Sequence, residues 1–193
     1  MSIDKVVLAT QNPNKVRELR NLIGNIEVIS RPDFIGEIEE TGETILENAL
    51  LKAQVVAKLT GLPALSDDTG LEVEYLNGEP GVKSARYAGE DSTDEDNVIK
   101  VLNLLSGVKE RRARFFTAVV LSTPDGSEFV GQGWIEGRIS EEMRGLNGFG
   151  YDAIFIPDEG DGRTFGEMTP DEKNSMSHRF KATLDLINQG AFR

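Results

Sequence analysis

Two adjacent carboxylates, Asp67 and Asp68, stand in the run Ala64-Leu65-Ser66-Asp67-Asp68-Thr69-Gly70. Neighbouring carboxylates repel, so both are held ionised at lower cost when a cation sits beside them. A hard divalent ion such as Mg²⁺ takes oxygen ligands and usually keeps several waters and substrate phosphates in its shell. The run therefore suits a metal–phosphate site at the end of a short apolar strand, the sheet edge where ligands of open α/β folds bind. Asp-Asp-Thr-Gly is equally good composition for a solvated turn, and the pair alone leaves both readings open. Asp68-Thr69-Gly70 also matches the short aspartic-protease signature. That chemistry needs two such carboxylates sharing a proton, and the chain carries one copy among helical segments.

Three other segments hold residues suited to a phosphorylated ligand. Thr10-Gln11-Asn12-Pro13-Asn14-Lys15 lies where an apolar run gives way to a helix, and free N–H groups at such a junction attract anions. Lys15 adds a point charge, and Thr10 and Asn12 add hydrogen bonds. The segment lacks the glycines and the Gly-Lys-Ser/Thr ending of a Walker A loop, and it also reads as a plain capped helix start. In Gly148-Phe149-Gly150-Tyr151-Asp152 the glycines permit close backbone approach, Phe149 suits stacking on a base, and Asp152 suits accepting from ring N–H donors. A tight turn with two core aromatics accounts for it equally well. Lys173 and Ser177-His178-Arg179 form the last segment. His178 is the only histidine, so no histidine metal cluster is possible, and beside Arg179 it reads as a hydrogen-bonder to a ligand.

The elements that must position these residues follow from hydrophobic periodicity. Val6 to Ala9 is a buried strand, and Asn12 caps a helix with Pro13 at its first position and Gly24 as its stop. Ile26 to Ile29 is a second strand. After an acidic stretch over 31–43, Thr44 caps a long helix with Ile45, Leu46, Ala49, Leu50, Ala53, Val56, Ala57 and Leu59 inward, ending at Gly61. Ala64 to Ser66 reads as a short strand that delivers Asp67-Asp68-Thr69-Gly70, Leu71 to Tyr75 resumes as strand, and 77–93 is a structured loop. Asp94 opens a helix with Val98, Val101, Leu102 and Leu105 on one face. Arg114 to Ser122 and Glu128 to Ile135 form a hairpin about Pro124-Asp125-Gly126-Ser127. Ala153 to Ile156 is a strand, Thr169-Pro170-Asp171-Glu172 a capping box, and a last helix carries Phe180, Leu184 and Ile187. Strands alternating with helices define an α/β class.

Composition narrows the partners. The chain has 193 residues, 38% hydrophobic and 28% charged, within the range of one globular domain. A net charge of −12 disfavours duplex nucleic acid and anionic membranes, although a bound cation and a few basic residues can reverse the field locally. There is no cysteine, so a disulfide framework is excluded and a reducing compartment fits. The apolar run after Met1 is too short for a signal or a membrane span, which makes the cytoplasm the expected location.

Taken together, these segments resemble the inosine/xanthosine triphosphate pyrophosphatase family, which acts on noncanonical purine nucleotides. The resemblance rests on Thr10–Lys15, Glu39-Glu40-Thr41-Gly42, Ser66–Leu71, Pro80–Tyr87, Gly148–Asp152 and Glu172-Lys173 with Ser177-His178-Arg179, in family order over nearly the whole chain. It implies an elongated α/β fold with a mixed sheet, flanking helices and two lobes around a central nucleotide cleft, formed by residues 1–193 as a single domain. It implies Mg²⁺-dependent hydrolysis of ITP, dITP and XTP to the monophosphate and pyrophosphate, usually by a homodimer. Asp68 falls at the proton-acceptor position, and Glu39 and Asp68 at metal positions, with Asp67 and Glu40 as further candidates. Thr10, Gln11, Asn12, Pro13, Asn14, Lys15, Thr69, Phe149, Gly150, Tyr151, Asp152, Lys173, His178 and Arg179 fall at substrate positions. Gln11 and Asn14 stand where glycine is frequent, and Ala153 where proline is frequent. His178 and Arg179 as donors would favour the C6 oxygen of inosine or xanthosine over the amino group of adenine. A house-cleaning pyrophosphatase for other modified nucleotides and a non-catalytic nucleotide binder are the competing classes.

Overall fold

In the computed structural model, which describes residues 3–193, the first apolar run forms strand β1 (Lys5–Leu8). Helix α1 (Pro13–Ile23) follows, and Asn12 Oδ1 accepts from Asn14 N at 2.9 Å and Lys15 N at 3.3 Å, as its type and place dictate. Strand β2 is Glu27–Ile29. Helix α2 (Ile45–Thr60) opens on a full capping box between Thr44 and Glu47 and stops at Gly61, whose φ of 66° is left-handed. Strand β3 is Ala64–Val73, α3 is Asp94–Leu104, β4 is Arg112–Ser122, and β5 is Glu128–Ile139. Strand β6 (Phe155–Pro157), the short α4 (Pro170–Asn174) behind its Thr169–Glu172 capping box, and α5 (His178–Asn188) complete the chain.

The six strands form one sheet in the order β2-β1-β3-β4-β5-β6. Strand β1 runs parallel to β2 and β3, and β6 runs antiparallel to β5, so the sheet is mixed and the fold α/β. By contacts the chain divides into two compact units. Unit 1 comprises residues up to Asp68, Thr117–Gly133 and Arg179–Arg193; unit 2 comprises Thr69–Phe116 and Trp134–His178. Unit 1 has two apolar clusters, one about Leu8, Leu19, Leu65, Leu121, Ala182 and Leu186 and one about Val7, Val56, Ala57 and Ala64. Unit 2 is built on Leu71, Val101, Phe115, Ile135, Ile154, Phe155 and Phe165.

Several expectations are corrected. The acidic run is no turn: β3 continues through Asp67-Asp68-Thr69-Gly70 as one ten-residue strand, buried along most of its length. It then ends at Val73, with a 3₁₀ turn over Glu74–Leu76 in place of the strand end at Tyr75. Strand β5 runs four residues beyond Ile135, because Gly131, Gly133, Ile135, Gly137 and Ile139 alternate inward and the glycines hide that alternation from a hydrophobic pattern. The expected strand at Ala153–Ile156 begins only at Phe155. On α2, Leu59 is exposed, while Asn48 and Lys52 are buried among the apolar residues. On α5 the buried residues are His178, Arg179, Ala182, Thr183 and Leu186, and Leu184 faces out.

Gly131 marks how closely β5 and α5 pack in unit 1. A Cβ there would lie 2.1 Å from Ala182 O and 2.7 Å from Leu186 N, both backbone atoms that cannot swing aside. Gly131→Ala is expected to destabilise by about 3 kcal/mol, the upper range of overpacking. A thermal melt should show this as a loss of about 10 °C.

Candidate active site

The pleat of β3 separates the two aspartates, because successive side chains point to opposite faces. Ala64, in the cluster with Val56 and Ala57 of α2, shares its face with Ser66, whose hydroxyl donates to Ala49 O of the same helix. Asp68 continues that face and accepts from Lys52 Nζ at 3.0 Å. Leu65, in the cluster with Leu19 of α1 and Ala182 of α5, shares the other face with Asp67. Asp67 accordingly meets Lys15 of α1 at 3.3 Å and Arg179 of α5, which donates from Nε at 3.0 Å and Nη2 at 2.9 Å. All of these groups belong to unit 1.

The loop before α2 brings in a further carboxylate. Gly42 N–H donates to Asn48 Oδ1 at 2.7 Å, and a side chain at Gly42 would collide with that oxygen. The backbone so anchored lets Glu40 accept from Lys52 Nζ at 2.7 Å. Lys52 thus bridges Glu40 and Asp68. Glu39, the residue expected at the metal, is exposed on the same loop. On the Asp67 side, buried Glu18 of α1 accepts from Arg179 Nη1.

The electrostatics distinguish the aspartates. Burial raises the Asp68 carboxyl above its ordinary value, against the opposing pull of Lys52 and Lys15, while Glu40 raises it further. Burial would also raise Asp67, which is fully enclosed, but Lys15, Arg179 and Lys52 together hold it well below the carboxylate range. Burial lowers Lys52, and Asp68, Glu40 and Asp67 outweigh it, so the amine is raised and stays charged. Asp67 is therefore a fixed charge, and Asp68 is the carboxylate with affinity for a proton.

The cluster sets Lys15, Lys52 and Arg179 among the carboxylates Glu18, Glu40, Asp67 and Asp68. Lys15 and Arg179 converge on Asp67 Oδ2, and the buried Oδ1 accepts no hydrogen bond. Among the described residues, no three acidic or histidine side chains form a ready-made cage. Mg²⁺ needs none, since one or two carboxylates with phosphates and water satisfy it. The neighbouring carboxylates Asp68 and Glu40, both on Lys52, fit such a cation.

Thr10, Gln11, Asn12 and Pro13 form the turn into α1, where Asn12 N–H donates to Thr10 Oγ1 at 3.2 Å. Asn14 Oδ1 accepts from Arg17 at 3.0 Å. Lys15 is the member of this segment that reaches the acidic cluster.

In unit 2 the Gly148–Asp152 segment is a tied loop. Asp152 Oδ2 accepts from Phe149 N at 2.9 Å and from Lys173 Nζ at 2.6 Å, with both members of that ion pair buried. A Cβ at Gly148, where φ is 77°, would meet the same carboxylate at 2.1 Å, so only glycine fits. Lys173 Nζ also lies 4.8 Å from the centre of the Phe149 ring. The Tyr151 hydroxyl donates to Ser84 O at 2.8 Å. His178 is 2% exposed and stacks on Phe115, ring centres 4.5 Å apart, within a group that includes Phe155 and Phe165. Thr69 is half-buried at the start of this unit's share of β3.

The structure thus brings Asp67, Asp68, Lys15, Arg179 and Glu40 into one cluster and Phe149, Asp152 and Lys173 into another. Arg179, expected to read the base, instead commits three donors to Asp67 and Glu18. Lys52 and Glu18 were missed by sequence reasoning. Their signal is a charged residue inside an apolar stripe: Lys52 between Ala49, Ala53 and Val56, and Glu18 beside Leu19.

An α/β sheet carrying a buried carboxylate–amine cluster on a parallel strand, with a capped helix start supplying one of its lysines, defines a class of phosphate-handling protein. The chain belongs to the Ham1 family, whose model matches residues 6–189. It is 46% identical over 192 residues to a dITP/XTP pyrophosphatase of Vibrio parahaemolyticus, covering 96% of each chain. It is 50% identical over 188 residues to a dITP/XTP pyrophosphatase of Thermus thermophilus, covering 95% of this chain and 90% of that one. A solved HAM1 protein from Coxiella burnetii superposes with a TM-score of 0.87 at 42% identity, covering 97% of this chain and 98% of the other.

Proposed function

We propose that this chain hydrolyses noncanonical purine nucleoside triphosphates, ITP, dITP and XTP, to the monophosphate and pyrophosphate, and so clears them from the nucleotide pool. The observation that carries the reading is Asp68, a buried carboxylate that burial raises above its ordinary value, joined to Glu40 through Lys52 in a Ham1 family chain. Asp68 accepts a proton from water as its oxygen bonds to the α-phosphorus and the bond to the β-phosphate oxygen breaks. Lys15 and the Thr10–Asn14 turn hold phosphate oxygens. Asp68 and Glu40, with the exposed Glu39, are the groups that would hold Mg²⁺, and Asp67, directed to the other face of β3, would meet it through water. When bound, that ion neutralises phosphate charge and lowers the pKa of water. Positioning and charge neutralisation supply most of the acceleration.

The loop Phe149–Asp152, with Lys173, Thr69 and His178, is the set we assign to the nucleoside. Phe149 offers a ring face and His178 a donor, whereas Arg179 holds Asp67 in place. We further read the protein as a cytoplasmic homodimer acting on free nucleotides. The net charge of −12 supports a small ligand over nucleic acid or membrane, and the family resemblance supports the dimer. Among the described residues no helix is long and apolar enough to cross a membrane.

Pyrophosphate release from purified protein tests this with ITP, dITP, XTP, ATP, GTP and dUTP, with and without Mg²⁺. The expected result is cleavage of the first three at a kcat/KM about 10²-fold above that for ATP, since an unpaired buried donor penalises adenine. Chelation of Mg²⁺ should abolish turnover. Equal cleavage of ATP and ITP would refute the base selectivity, and binding without pyrophosphate release would mark a non-catalytic binder.

A further inference from the structure

Gly150 lies at the centre of the Phe149–Asp152 loop with φ of 56°, and nothing stands within 4 Å of where its Cβ would be. Glycine there meets the demand of the backbone angle alone. Such a residue leaves the preceding peptide free to rotate, because glycine tolerates both resulting conformations. Here the rotation is blocked at both ends. Phe149 O accepts from Asp152 N at 3.2 Å, and Gly150 N–H donates to Asp94 Oδ2 at 2.8 Å. Asp94 is distant in sequence. It opens α3, where Thr93 and Asp96 form the capping box. A carboxylate acceptor strengthens the bond. Both partners lie in unit 2.

We propose that Asp94 is a positioning residue for substrate recognition, locking the Phe149–Gly150 peptide so that the Phe149 ring and the Asp152 carboxylate stay preset for the purine. The inference rests on the assignment of this loop to the nucleoside. Asp94 touches no reacting atom, and its effect is on the fraction of protein whose loop is ready to bind. Loss of the acceptor multiplies affinity by that fraction and leaves the chemical step alone.

The test is steady-state hydrolysis of dITP by Asp94→Ala, Asp94→Asn and Phe149→Ala, with thermal melts of each. Asp94→Ala is expected to raise KM about fivefold, the cost of a binding-competent loop populated at about one part in five, with kcat within about twofold. Asp94→Asn keeps an acceptor oxygen and is expected to restore KM to within about twofold of the parent. Both should melt close to the parent. If Phe149→Ala raises KM while Asp94→Ala does not, the Asp94 proposal fails and the loop assignment stands. If Asp94→Asn is as impaired as Asp94→Ala, the peptide lock also fails, because charge and not the hydrogen bond matters. If Phe149→Ala leaves KM unchanged, the loop assignment fails and the proposal with it.

Discussion

Asp68→Asn is expected to lower kcat for dITP by about 10³-fold, within the range general-base removal produces. The substitution keeps shape and an acceptor oxygen for Lys52 and takes away the ability to hold a proton. Glu40 stays as a charged partner for Lys52, at 2.7 Å, so the lysine is not stranded. Stability should change little. A carboxyl raised on folding binds its proton more tightly in the native state, so its ionisation costs stability as pH rises through its unfolded and then its folded value. Asparagine removes that cost at neutral pH, offsetting the weakened bond to Lys52. A melt within a few degrees of the parent, with turnover lost, is the expected pair of results. An Asp68→Asn protein with parental turnover would remove Asp68 from the chemistry.

The parts of this arrangement legible in the sequence are those with local causes. Asn12-Pro13 starts α1, Thr44 with Glu47 starts α2, and Thr169-Pro170 with Glu172 starts α4, because each cap is satisfied within one turn. What failed was non-local. Asp67-Asp68-Thr69-Gly70 reads as a turn because two carboxylates in mid-strand are costly until neutralised. The cations that neutralise them come from Lys15, Lys52 and Arg179, dispersed over the chain, and no local pattern announces that convergence. Lys52 was half-visible, as a charge inside an apolar stripe, a feature that hydrophobic periodicity alone discards. The pairing of Arg179 with Glu18 joins residues 161 positions apart and belongs to the tertiary fold. The alternation of β3, once recognised as one strand, is what assigns the two aspartates to different faces and so to different roles.

Arg179→Met is expected to be the most destabilising single change in the cluster. Arg179 is 1% exposed and holds Asp67 through two N–H groups and Glu18 through a third. Methionine matches much of its length and leaves two buried carboxylates with Lys15 as the remaining close cation on Asp67. Breaking a buried pair in this way costs about 3–5 kcal/mol, because the surviving charge is no longer compensated. The melting temperature should fall by about 10–15 °C for a chain of this size. Asp67 gives the pH signature. Its carboxyl is held below the usual range, so its stabilisation is present above the unfolded value and is lost as pH falls through the folded one. Removing Arg179 weakens that depression, so the difference between variant and parent should be greatest near neutrality and narrow once pH drops below about 4, where the unfolded carboxylate is itself protonated. Adding Glu18→Gln to Arg179→Met removes one of the two carboxylates that Arg179 held and should recover part of the loss, as coupled neighbours do. A variant that melts with the parent at neutral pH would show that the guanidinium is dispensable to the fold. The orientation of the Asp67 carboxylate would then need another source.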